Sequence, residues 1–106
     1  MAWVYLGAAG LLEILWAYTM KQSHGFTRLV PTLITLVAMA GSFSLLSLAM
    51  RTLPLGSAYT IWTGIGAIGA FLVGIVVLDE FVSPMRVAAA TLIVSGLVMM
   101  KLSTST

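Results

Sequence analysis

The chain has 106 residues, of which 60% are hydrophobic and only 8% are charged, and its mean hydropathy is +1.11. This composition excludes an ordinary soluble domain and indicates a membrane protein. The sequence contains no cysteine, which excludes disulfides and thiol chemistry, and its formal net charge of +2 does not indicate a nucleic-acid partner, because the charged side chains other than Glu13 lie at the ends of apolar segments.

Four apolar segments follow one another along the chain. A helix needs about 20 apolar residues to cross a hydrocarbon core of roughly 30 Å, and the first three segments have that length. The fourth is shorter, so Arg86 and Lys101 at its ends must extend toward the lipid headgroups for it to span. Strands are excluded because transmembrane strands are shorter and alternate apolar with polar residues. We therefore predict an all-α membrane protein with a single four-helix transmembrane domain over residues 1–106, with helices at about 2–20, 29–50, 56–78 and 84–101.

The first predicted helix carries one carboxylate, Glu13, in the apolar run "GLLEILWAY". A charge at the centre of a membrane helix costs about 2.5–3.5 kcal/mol on insertion scales, and no Lys or Arg lies within the spans to pair with it. The protonated form is therefore the cheaper one in hydrocarbon. A carboxyl group that is protonated in the empty site and ionised when a cation binds couples proton release to cation binding. This coupling indicates an exchange mechanism. The alternative is that protonated Glu13 serves only as an interhelical hydrogen-bond donor.

Several aromatic, hydroxyl and small residues lie at a depth similar to that of Glu13. Residues three or four positions from Glu13 share its helix face, where Gly10 leaves room beside the carboxylate. Aromatic faces around a carboxylate form a cation site by ion pairing and cation–π attraction. The alternatives are an interfacial aromatic belt for the Tyr and Trp residues and a hydrogen bond from the serine hydroxyl to a carbonyl one turn back. The candidate lining or bracing residues are Gly10, Trp16, Ser42, Tyr59 and Trp62.

Small residues on the third and fourth helices indicate where helices approach closely. Gly66, Ala70 and Gly74 repeat every four residues on the third helix. Ser95 and Gly96 belong to a second small, partly polar surface on the fourth. Either surface could pack within the chain, and we interpret the one on the fourth helix as a contact between two copies.

The distribution of basic residues gives only a weak instruction for orientation. With four spans, Arg51 and Lys101 lie on one side of the membrane, and Lys21, Arg28 and Arg86 lie on the other. The two sides differ by only one basic residue, which is too small a difference to fix the orientation, so the chain can insert both ways. Secondary transporters commonly hold substrate between two inverted structural repeats. This chain shows no internal repeat, but two copies in opposite orientation would supply the inverted pair. The alternative is a parallel homodimer with a weakly specified topology.

Three motifs make the sequence similar to a known family. "GLLEILWA", "HGFTRL" and above all "TLPLGSAYTIWTGIGAIGA" at 52–70 resemble the small multidrug resistance family of proton-coupled exporters, and its guanidinium exporter subtype in particular. The resemblance implies an antiparallel homodimer of dual-topology subunits in the bacterial inner membrane. It implies that Glu13 binds protons or substrate in competition. It also implies that Trp16, Ser42, Tyr59 and Trp62 line or brace the shared site.

The resulting interpretation is a proton-coupled antiporter that exports guanidinium and small substituted guanidinium ions. Guanidinium is planar and presents its N–H groups in a fork that matches a carboxylate, and substituents would leave along Met39 and Phe43 of the second helix. The alternatives are an exporter of quaternary ammonium compounds and, in another class, a dual-topology ion channel or membrane scaffold. We expect no enzymatic activity, no cofactor and no metal, since His24 lies in a polar connection without clustered ligands.

Overall fold

The computed structural model describes residues 1–104 and contains four long helices in that range. Every one of them is long and apolar enough to cross a membrane, which confirms the expected all-α class with four candidate transmembrane helices. The helices are α1 (Ala2–Gln22), α2 (Leu29–Ala49), α3 (Leu55–Val76) and α4 (Pro84–Ser103).

Local sequence signals explain where the helices end. After α1, His24, Gly25 and Phe26 all have positive φ, so the chain turns back over a few residues. Pro54 precedes α3 in an extended conformation. Ser83 precedes α4, and its hydroxyl accepts a hydrogen bond from the backbone N–H of Arg86 at 3.2 Å.

The helices form a thin slab in which α1 packs between α2 and α3, while the backbone of α4 lies close to that of α3 alone. The slab measures 42 × 35 × 16 Å between Cα atoms. A buried hydrogen bond of 2.6 Å between the hydroxyls of Thr19 and Thr35 also joins α1 to α2. No residue of α4 is buried, so this helix presents most of its surface to whatever surrounds the chain.

The hydrophobic core lies among α1, α2, α3 and the connection between α2 and α3. Its buried members are Leu6, Ala9, Leu46, Ala49, Leu53, Ala58, Ile61 and Trp62. This core fixes α1 against α3 and so determines which side of α3 meets Glu13.

The three small residues on α3 lie in three different settings and do not share one interface. Gly66 is buried against the side chain of Glu13 from α1. Ala70 is exposed. Gly74 is buried, and Glu80 from the connection after α3 packs against it while donating its backbone N–H to the Gly74 carbonyl at 2.9 Å.

Candidate functional site

Glu13 lies near the middle of α1 with its carboxyl group directed at α3. The group packs so closely on Gly66 that a Cβ at that position would overlap the carboxyl carbon of Glu13. Its Oε1 atom is buried and has no hydrogen-bond partner among residues 1–104. The site therefore holds a carboxyl oxygen that can accept a proton or the N–H group of a cation.

A chain of two hydrogen bonds connects the three helices around this carboxyl group. The indole N–H of Trp62 on α3 donates to the hydroxyl of Ser42 on α2 at 2.9 Å. The Ser42 hydroxyl in turn donates to the backbone carbonyl of Ala9 on α1 at 2.7 Å. Ser42 is 0% exposed and Trp62 is 6% exposed. Removal of one side chain would therefore leave the buried polar group of the other without this hydrogen bond.

Four aromatic rings from α1, α2 and α3 form a row. Phe43 of α2 lies between two indoles, with ring centroids 6.2 Å from Trp16 and 5.7 Å from Trp62, both in edge-to-face geometry. Tyr59 continues the row at 5.5 Å from Trp62. Edge-to-face pairs at these distances are favourable.

The two ends of the aromatic row differ in how much they are covered. At one end Tyr59 is 52% exposed, whereas at the other end the Nε1 atom of Trp16 is buried and has no hydrogen-bond partner within the described part of the chain. Trp16 therefore brings a second unused polar atom to the α1 side, in this case a donor.

The structure gives Gly10 a different neighbour from the one expected. Gly10 is buried, and a Cβ there would meet the side chain of Ile65 on α3. The space beside Gly10 is thus filled by α3, and the residue permits the close packing of α1 on α3 that places Glu13 against Gly66.

The candidate residues on α4 lie apart from the carboxyl group. Ser95 is exposed and donates its hydroxyl to the carbonyl of Thr91, one turn back in its own helix. Gly96 is exposed, and a Cβ added there would meet nothing within 4 Å. Neither residue contributes to the arrangement around Glu13 within one copy.

Sequence reasoning missed three parts of the arrangement. The Ala9 carbonyl carries no sequence signal as an acceptor for Ser42. Phe43 was expected only to line a route by which substituents leave toward lipid. Its position next to Ser42 in the sequence was the signal that could have placed its ring between the two indoles. Gly66 was expected to share a helix face with Trp62 and to pack helices, but its contact with the Glu13 carboxyl group was not expected.

The described residues contain no cluster of three or more His, Asp or Glu side chains that could hold a metal ion. The chemistry available at this site is that of one carboxyl group, two indoles and several aromatic faces. Such a set can bind an organic cation, through a charge-assisted hydrogen bond and cation–π contacts, or a proton.

Comparison with known proteins gives a consistent result. The family model described as Small Multidrug Resistance protein matches residues 1–93. The chain is 55% identical over 104 residues to proteins named guanidinium exporter from Citrobacter freundii and Salmonella typhimurium, covering 98% of this chain and 99% of each relative. It is 54% identical, with the same coverage, to the guanidinium exporter of Escherichia coli strain K12.

Proposed function

The chain belongs to the small multidrug resistance family, and on that premise we propose that it exports guanidinium ions across the bacterial inner membrane in exchange for protons. It is a multi-pass membrane protein with four helices able to span. The observation that carries the exchange mechanism is Glu13. It is the only acidic residue within the four helices, because Asp79 and Glu80 lie in the connection between α3 and α4.

Proton coupling follows from the position of this carboxyl group. A buried charge without a partner is costly, so the empty site is most stable when Glu13 is protonated. An arriving cation supplies the missing partner and favours the ionised form, and the proton leaves. One carboxyl group thus holds either a proton or a cation, which is the requirement for exchange.

Guanidinium fits the donors and acceptors that the site offers. Its N–H groups are arranged in a planar fork that can address both oxygens of a carboxylate, and the Oε1 atom of Glu13 has no competing donor among residues 1–104. The ring row formed by Trp16, Phe43, Trp62 and Tyr59 supplies aromatic faces that attract a cation.

We further propose that two copies assemble as an antiparallel, dual-topology homodimer. A slab 16 Å thick in one dimension is only about two helices deep and offers little depth to enclose a pathway. The side chains of α4 are largely uncovered, and Ser95 and Gly96 give this helix a surface on which another backbone could lie closely. The near balance of basic residues on the two sides would permit both orientations.

The orientation proposal can be tested with a single cysteine, since the chain has none of its own. A cysteine at His24, in the connection between α1 and α2, should be labelled by an impermeant reagent from both sides of the membrane in comparable amounts. Labelling from one side only would contradict the antiparallel assembly.

The export proposal is tested by uptake of guanidinium into proteoliposomes with and without a pH gradient. The wild-type protein should concentrate guanidinium when the gradient is imposed, and Glu13→Gln should abolish that coupled uptake. Glu80→Gln is the matched control, because Glu80 is exposed and lies outside the helices. Uptake that ignores the pH gradient, or that survives in Glu13→Gln, would indicate a channel. No uptake of guanidinium together with coupled uptake of tetramethylammonium would indicate the quaternary ammonium subtype.

A further inference from the structure

An apolar groove of about 350 Å³ opens between α1, α3 and α4, away from Glu13. This volume falls in the range of about 300–1,000 Å³ that is usual for sites of small molecules. We call it the Lys101 groove, after the single charged residue in its lining. Its lining includes Trp3, Leu6, Gly7, Ile65, Val98 and Lys101.

The charged group lies at one end of the groove. Lys101 is in the last turn of α4, and its ammonium nitrogen is 4.8 Å from the centroid of the Trp3 ring. Within residues 1–104, the lining of the groove contains no acidic residue that could pair with this ammonium. A lysine at the end of a spanning helix extends to the level of the lipid headgroups, where a tryptophan ring is also favoured.

The remainder of the groove is apolar and extends from that end toward the membrane interior. Its lining on α4 runs from Leu97 to Leu102, a rise of about 7.5 Å along the helix. Leu6 forms part of its floor and is 0% exposed. Gly7 has no side chain to fill the groove, and the space beside it is open, since a Cβ at that position would meet nothing within 4 Å.

We propose that the Lys101 groove binds an anionic phospholipid, with the phosphate at the Lys101 ammonium and one acyl chain along the groove. A phosphate that carries an unbalanced negative charge complements the Lys101 ammonium, which is the one charged group among the described residues lining this groove, whereas a zwitterionic headgroup carries its own cation. The acyl chain covers the apolar wall that α1, α3 and α4 leave open.

A second copy of this chain is the other possible occupant, and one observation makes it the less favourable one. The small surface of α4 that suits a close helix contact includes Gly96, which lines a different groove on the other side of α4.

The proposal is tested by native mass spectrometry of the whole protein in detergent with equal amounts of phosphatidylglycerol and phosphatidylcholine that carry the same acyl chains. The wild-type protein should retain the anionic lipid about fivefold better than the zwitterionic one, as expected for one basic residue near an anionic headgroup. Lys101→Gln should remove this preference. Lys21→Gln is the matched control, since Lys21 also lies in the last turn of a helix but lines no part of the groove, and it should keep the preference. Equal retention of the two lipids by the wild type, or an unchanged preference in Lys101→Gln, would overturn the proposal.

A second pair of variants tests the place of the acyl chain without changing any charge. Gly7→Leu should fill the groove and lower retention of phosphatidylglycerol severalfold, whereas Gly56→Leu should not, because Gly56 also has open space around it but lies outside the groove. Retention that is the same in both variants would overturn the assignment to this groove. Efficient crosslinking between two copies that carry Val98→Cys would also overturn it, because it would place a second chain where the lipid is expected.

Discussion

Trp62 and Ser42 are joined by a hydrogen bond in which the indole N–H donates to the hydroxyl at 2.9 Å. A serine hydroxyl has one proton, and Ser42 uses it on the carbonyl of Ala9 at 2.7 Å. In this arrangement neither residue donates to Glu13, and together they fix α2 and α3 against α1 one turn away from the carboxyl group. Both residues therefore join helices, in addition to being candidate lining residues.

The first prediction concerns Ser42. Ser42→Ala removes the link to Ala9 and leaves the buried indole N–H of Trp62 without its acceptor, so it should lower the free energy of unfolding by about 1–3 kcal/mol. Ser44→Ala is the control, because Ser44 is exposed and donates only to the Ala40 carbonyl in its own helix. Denaturant titration of both variants in the same detergent measures the difference. Equal stability of the two variants would show that the chain of hydrogen bonds does not hold the helices.

The second prediction concerns the close contact of Gly66 with Glu13. Gly66→Ala would place a methyl group that overlaps the carboxyl carbon of Glu13, so Glu13 must move and guanidinium should bind at least tenfold more weakly, a cost of at least about 1.4 kcal/mol. Gly56→Ala is the matched control, since its Cβ meets nothing within 4 Å, and it should leave binding unchanged. Isothermal titration of both variants with guanidinium distinguishes them. Wild-type affinity in Gly66→Ala would mean that this contact does not position the carboxyl group.

The third prediction is that guanidinium binding weakens on acidification. Protons and the cation compete for Glu13, so in the range where the carboxyl group is mostly protonated the apparent dissociation constant should rise about tenfold for each unit of falling pH. If two copies share one site, the two carboxyl groups should titrate as a coupled pair. Binding is measured from about pH 5 to pH 8. Affinity that stays constant across this range would contradict competition.

The fourth prediction is selectivity for cations that carry N–H groups. Tetramethylammonium has no donor for the buried Oε1 atom of Glu13, so it should leave that atom unsatisfied at a cost of roughly 1–3 kcal/mol relative to guanidinium. Singly substituted guanidines that keep one unsubstituted edge should still be transported. Currents recorded on solid-supported membranes give the order directly. Tetramethylammonium currents equal to or larger than those of guanidinium would overturn the subtype but not the exchange at Glu13.

The sequence by itself determined the four helices and the isolated carboxylate. The helices begin and end within two residues of the positions expected from the apolar segments, since the bounds are 2–22, 29–49, 55–76 and 84–103. These features are local. The hydrocarbon thickness sets the length of an apolar run, and turn-forming residues and helix caps such as Pro54 and Ser83 mark its ends.

Only the tertiary structure decided which groups meet around Glu13. Ser42 could have donated within its own helix, and it instead reaches a carbonyl 33 residues away in sequence. Gly66, rather than Gly10, packs against the carboxyl group, and Phe43 lies between two indoles. The physical reason is that membrane helices are apolar on every side, so no amphipathic stripe specifies how one helix is rotated toward its neighbours. That rotation is fixed by close packing and interhelical hydrogen bonds, which depend on residues far apart in the chain.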